Sequence, residues 1–174
     1  MQILLYCTKS RWQLFKDIIT GKWLIDKIKN KNAVNGKIVG ECEFELEEIE
    51  RFYCFGEIIQ TKTMCFQQLL GESCLDEEEL VDYLEGENGY AIHFKNLNIF
   101  DEPKELSNYH ISYYNKELKM MREKHLEKAP QNMCRIFDEN GTYILISIRP
   151  ERLCKILNGE KTIEVRKKVL KEML

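Results

Sequence analysis

No apolar run in the chain approaches the roughly 18 residues that a membrane span needs. The N-terminus, Met1-Gln2-Ile3-Leu4-Leu5-Tyr6, carries neither a basic flank nor a small-residue cleavage site, so no signal peptide is expected. The seven cysteines include no C-x-x-C pair and lie nine or more residues apart, which removes the usual signatures of a zinc site or a redox dithiol. There is no Walker loop, no dinucleotide fingerprint and no G-x-S-x-G elbow. Internal repeats, low-complexity tracts and interdomain linkers are also missing. These absences point to a cytoplasmic protein without a membrane partner, metal or cofactor, its thiols buried in a reducing compartment. His93, His110 and His125 are scattered. A Cys-His nucleophilic pair stays open, because such partners meet in space rather than in sequence. His93 follows Tyr90 and Ile92 on a strand pattern, which suits a buried, hydrogen-bonded histidine.

What is present fits one domain over residues 1–174: hydrophobic residues make up 44% of the chain, enough for a proper core. The net charge of −3 argues against nonspecific coating of nucleic acid. Charge is uneven, however. Residues 149–174 hold eight Lys or Arg against four Glu, a local +4, which leaves −7 on the remainder. A basic unit on an acidic body favours a local anionic contact.

Gln2 to Cys7 reads as a buried strand. Arg11 to Lys29 is expected to be helical, with Trp12, Phe15 and Ile19 at mixed spacing and Gly21 weakening its middle. Trp12 and Trp23 are read as core aromatics, with base stacking as the alternative. From Ile38 to Ile49, Glu41, Glu43, Glu45 and Glu47 alternate with Cys42, Phe44 and Leu46, a strand with a solvent-facing acidic side. Asp76 to Leu84 is a capped helix, with Asp76 and Glu79 as its capping box and Leu75 as a staple. Tyr90 to Phe94 is a strand, and Tyr113 to Glu127 is expected to be a charged helix with Leu118, Met121 and Leu126 on its apolar side. Asp138-Glu139-Asn140-Gly141-Thr142 is a hairpin signal joining Met133–Phe137 to Tyr143–Ile148.

The chemistry concentrates at Gly159-Glu160-Lys161-Thr162-Ile163-Glu164-Val165-Arg166. On a strand, Thr162, Glu164 and Arg166 share one face while Ile163 and Val165 turn to a core. Donor, acceptor and cation in a row suit a small polar ligand such as a nucleobase or phosphate; an amphipathic edge strand with solvated charges is the plain alternative. Arg166-Lys167-Lys168 ends the strand, with Lys167 and Lys168 read as solvated. Upstream, Ile144 to Arg149 forms an apolar strand stopped by Pro150, followed by a short helix with Leu153, Ile156 and Leu157 on one side and an Asn158-Gly159 turn.

This arrangement resembles the ASCH domain of the PUA-like superfamily, whose motif G-x-K-x-x-E-x-R matches at Gly159, Lys161, Glu164 and Arg166. The resemblance to bacterial and phage members covers nearly the whole chain in an altered order. Family members open with the unit corresponding to residues 143–174 and continue with segments like Ile3–Lys9, Gly36–Phe44, Gly89–Phe94, Asp101–Leu106 and Ala129–Ile136. The order therefore looks circularly permuted, with a domain-swapped dimer or a truncated second copy as the alternatives to permutation within a monomer. The implied fold is α+β, a small PUA-like β-barrel, closed or partly open, with peripheral helices.

The resemblance implies recognition of RNA or a modified nucleoside or nucleotide. Lys161 and Arg166 would hold phosphate or base oxygen, Thr162 and Glu164 would read a base edge, and Thr8 or Lys9 would supply part of the wall. Tyr6 and Tyr90 are the candidates for stacking. Some ASCH-related proteins are instead hydrolases, either acetylcytidine amidohydrolases or ribonucleases, which would make Lys161 and Glu164 catalytic. The amidohydrolase type carries threonine where this chain has Glu164, and a further glutamate whose position here is open. A protein-interaction module is the third reading.

Overall fold

The computed structural model describes residues 1–53 and 56–174. Cys54 falls outside the described residues. The fold is α+β, dominated by strands, with three α-helices among the described residues. Among the described residues no helix is long and apolar enough to cross a membrane. The chain divides into two compact units, one of residues 1–43 and 96–154, the other of residues 44–95 and 155–174.

In the first unit, strand β1 (Gln2–Cys7) is the inner strand that its apolar run predicts, with Ile3, Leu4, Leu5 and Cys7 almost fully buried. On one side it pairs parallel with β10 (Gly141–Ile148), Ile3 opposite Ile144. On the other it runs antiparallel to the start of β4 (Ile38–Tyr53), with a bulge between Leu5 and Tyr6. Strand β9 (Met133–Asp138) lies antiparallel to β10, as the hairpin signal predicts. The turn is centred on Glu139-Asn140, and the Asp138 carboxylate accepts from the backbone N–H groups of Asn140 and Gly141. That Asx-type turn needs no positive φ. Leu4, Ile38, Tyr109, Ile136 and Leu145 form this unit's core. Gly40 belongs where it is because a Cβ there would stand 2.7 Å from the Asn98 carbonyl oxygen.

Two expected helices of this unit are hairpins. Residues 11–29 hold β2 (Gln13–Lys16) and β3 (Trp23–Asp26), paired antiparallel. Asp17 starts the reversal by accepting from the Thr20 hydroxyl at 2.6 Å, and Gly21 completes it at φ +72°. Only Leu14 and Trp23 of this hairpin's apolar residues are deeply buried, so the mixed spacing was not a helix face. Residues 110–125 form β7 (His110–Asn115) and β8 (Met120–His125). Asn115 accepts from the N–H groups of Glu117 and Leu118, and Lys119 turns the chain at φ 51°. Leu118 and Met121 are exposed, and only Leu126 of the expected apolar side is buried.

In the second unit, β5 (Glu57–Gln60) pairs with the end of β4, and β11 (Ile163–Arg166) pairs antiparallel with β6 (Gly89–Lys104), Ile163 opposite His93. Helix α1 (Phe66–Ser73) has no forecast in the sequence reading. Helix α2 (Glu77–Leu84) follows Asp76, whose carboxylate accepts from Glu79 N–H at 2.8 Å, while the Glu79 side chain reaches back to Asp76 N–H at 2.9 Å. Ile49, Leu69, Leu80, Leu84, Ile163 and Val165 make the core. Helix α3 (Pro150–Leu157), which begins in the first unit and ends in the second, starts on proline, where a missing N–H costs nothing. Its Leu153, Ile156 and Leu157 are buried as the spacing implies.

Candidate functional site

Four features place the motif residues of the second unit. Gly159 reverses the chain after α3 at φ +78°. The N–H groups of Glu160 and Lys161 both bond the Lys155 carbonyl, and Thr162 N–H bonds Glu72 carbonyl at 3.0 Å. Lys161 is thereby driven inward, to 2% exposure. Its Nζ donates to the carbonyl of Ser73 at 2.5 Å. Ser73 is the last residue of α1, whose final turn has no basic residue of its own. The lysine therefore occupies the place where helix-terminal carbonyls lack partners and a cation is favoured.

Glu164 completes the cluster. Its Oε1 accepts from Arg166 Nε at 3.1 Å and lies 3.0 Å from Nη2. Oε2 lies 3.3 Å from Lys161 Nζ, an ion-pair distance, yet has no hydrogen-bond partner among the described residues. Glu164 is 2% exposed, while Arg166 retains partial access. Two cations, Lys161 and Arg166, thus flank one buried carboxylate. Thr162 does not share this environment. It precedes the strand and is exposed, because alternation starts only at Ile163. Ile163 and Val165 face the core as expected. Lys167 is ion-paired with Glu85 at 2.5 Å, which lowers the Glu85 pKa and raises its own, whereas Lys168 is exposed. Tyr90, opposite Arg166 across the strand pair, is half-buried.

A second polar cluster of this unit was not read from the sequence. Glu47 belongs to the acidic strand face expected in solvent, yet its side chain is only 16% exposed. Oε2 lies 2.6 Å from His93 Nε2 and accepts from the Thr61 hydroxyl at 3.2 Å, and Oε1 accepts from the Thr63 hydroxyl at 2.6 Å. Burial raises the carboxyl pKa, but these hydrogen bonds and the His93 charge outweigh it and hold the group below its ordinary value. Nothing local to Glu47 marks it out among the alternating glutamates; its partners arrive from residues 61–63 and 93.

Tyr6, Thr8 and Lys9 of the first unit line one open cleft of about 630 Å³, together with Ser107, His125, Lys128 and Ser147. Tyr6 and Thr8 come from β1 and the residues just after it. The cleft floor is shaped by Gly36, at φ +80°, where a Cβ would come within 3.2 Å of the Lys9 stem. Asn35 fixes the Thr8 backbone by donating to its carbonyl at 3.2 Å. The Ser147 hydroxyl donates to the Pro130 carbonyl at 2.7 Å. His125 Nδ1 bonds the Ser107 carbonyl at 2.9 Å, so that nitrogen carries the proton and Nε2 is the acceptor of the neutral ring. The Tyr6 hydroxyl titrates above its usual value, chiefly through burial.

No group of three or more His, Cys, Asp or Glu able to hold a metal ion occurs among the described residues. No known family model, curated protein or solved structure matches the chain.

Proposed function

We propose that the chain is an ASCH-type, PUA-like module that recognises RNA or a modified nucleoside or nucleotide. The observation that carries this reading is the first unit's cleft. Three residues nominated from the sequence, Tyr6 for stacking and Thr8 and Lys9 as the wall of the motif pocket, line it together, although Lys161, Thr162, Glu164 and Arg166 are not among its lining residues. Its volume falls in the range of small-molecule sites, roughly 300–1,000 Å³. Lys9 and Lys128, beside the carboxylates of Glu105 and Glu127, supply local cations for phosphate, and Thr8, Ser147 and His125 supply donors and acceptors for a base or sugar.

The Lys161-Glu164-Arg166 network supports the reading through its match to the family motif and through the partly accessible Arg166. Lys161 Nζ, however, donates to a carbonyl and faces a carboxylate. That arrangement uses the amine as a donor, whereas a catalytic base or nucleophile needs a free lone pair. Binding is therefore preferred to hydrolysis.

Calorimetric titration with a panel of nucleosides, nucleotides and short RNAs tests the reading. Wild type should bind at least one of them, and Lys9→Ala should weaken that binding while leaving Tm unchanged. Absence of binding across the panel, or full binding by Lys9→Ala, would overturn it.

A further inference from the structure

We propose that the β2–β3 hairpin and the cleft beside it form a docking surface for single-stranded nucleic acid, so that the chain holds a polymer and not only a free nucleoside. The inference rests on the nucleic-acid reading above. Residues 9–37 contain seven lysines and Arg11 against Asp17 and Asp26, a local +6 in a protein of net −3. Seven of these eight basic residues are exposed; the eighth, Lys37, lies 3.6 Å from Glu105. Among the described residues neither aspartate forms a salt bridge with a lysine. Asp17 is engaged by Thr20 and its own turn, and Asp26 accepts from Ile28 N–H.

Beside the hairpin lies an open cleft of about 490 Å³, lined by Lys16, Lys31 and Lys37 with a single carboxylate, Asp101, and by Phe100 and the largely buried Trp23. Lys27 Nζ stands 4.9 Å from the centroid of Trp12, which is 38% exposed. Ile18, Ile19 and Ile28 are left largely in solvent among the lysines. Phosphates on lysines release counterions, while bases are held on apolar and aromatic surface. A single strand presents both kinds of group at once. Three of the lysines, Lys16, Lys31 and Lys37, line a concave wall, which a flexible strand can follow and a flat bilayer cannot.

Fluorescence anisotropy with a labelled single-stranded RNA of about 12 nucleotides tests this, over a salt series. The comparison variant combines Lys22→Gln, Lys27→Gln, Lys29→Gln and Lys31→Gln; all four are exposed and lie outside the Tyr6 cleft. Wild type should bind the strand more tightly than any nucleoside. The variant should keep its Tm and its nucleoside binding but lose affinity for the strand on the order of tenfold, with a log–log salt slope shallower by about 0.7 for each phosphate contact removed. Strand binding no tighter than nucleoside binding, or a variant with unchanged slope and affinity, overturns the docking surface and leaves the nucleoside reading standing. Stronger binding to phosphatidylserine vesicles than to RNA overturns it in favour of a membrane. Failure of wild type to bind either nucleosides or the strand removes both proposals.

Discussion

The Lys161 ammonium stands 3.3 Å from the Glu164 carboxylate, and both side chains are almost wholly shut off from solvent. A buried charge stripped of its partner costs far more than an exposed pair gains, about 3–5 kcal/mol. Lys161→Ala leaves Glu164 with Arg166 as its cation and takes the ammonium from the Ser73 carbonyl, so it should destabilise the protein by up to that amount in urea titrations. Arg166→Ala removes both contacts to Oε1 and should cost about 1–3 kcal/mol. If Lys161→Ala unfolds with the wild-type midpoint, the Lys161 ammonium does not tie the end of α1 to Glu164 of β11.

Glu47 sets an acid limit on stability. Its folded pKa is depressed, so its contribution is fully present above the ordinary carboxylate value of about 4.3 and is lost as pH falls through the lower folded value. Wild type should therefore lose stability on acidification more steeply than Glu47→Gln. Parallel stability–pH curves for the two proteins would contradict the assignment.

Asp76 satisfies an N–H at the start of α2. Asp76→Ala should cost about 1 kcal/mol, and Leu80→Ala, which empties a fully buried position of the adjoining core, about 2–5 kcal/mol. Thermal melts of both variants, ranked in that order, check the packing of the second unit.

Burial, with a smaller push from the Glu151 charge, raises the Cys7 thiol to about 12, and burial likewise raises Cys42 to about 12. Cys65 is exposed. Brief alkylation of the native protein should label Cys65 and spare Cys7 and Cys42, as read by peptide mass spectrometry. Early labelling of Cys7 would mean that β1 is not the closed inner strand.

How legible the molecule was from sequence depended on whether a signal was local. The uninterrupted apolar run of β1, the Asp76–Glu79 capping box, Pro150 at the start of α3 and the period-two pattern of β4 are each decided within a few residues, and each reads correctly. The hairpins at 11–29 and 110–125 failed because their turns are made by side-chain hydrogen bonds at Asp17 and Asn115, while scattered apolar residues imitated helical spacing. The Glu164–Arg166 pair followed from strand alternation, and the family motif included Lys161. What spacing could not give was Lys161's main partner, the end of a helix 88 residues away in sequence. Glu47 was hidden for the same reason. The +6 of residues 9–37 was plainly countable, but reading that segment as a core helix hid its exposure.

The Tyr6-Thr8-Lys9 cleft is proposed to receive a nucleoside or an RNA nucleotide. Backbone amide chemical-shift mapping during titration with nucleosides, nucleotides and short RNA tests it most directly. Saturable shifts should cluster at Thr8, Lys9, Gly36, Ser107, His125 and Ser147 and be lost in Lys9→Ala. Saturable binding whose shifts leave these residues unmoved, or no shifts with any ligand of the panel, would contradict it.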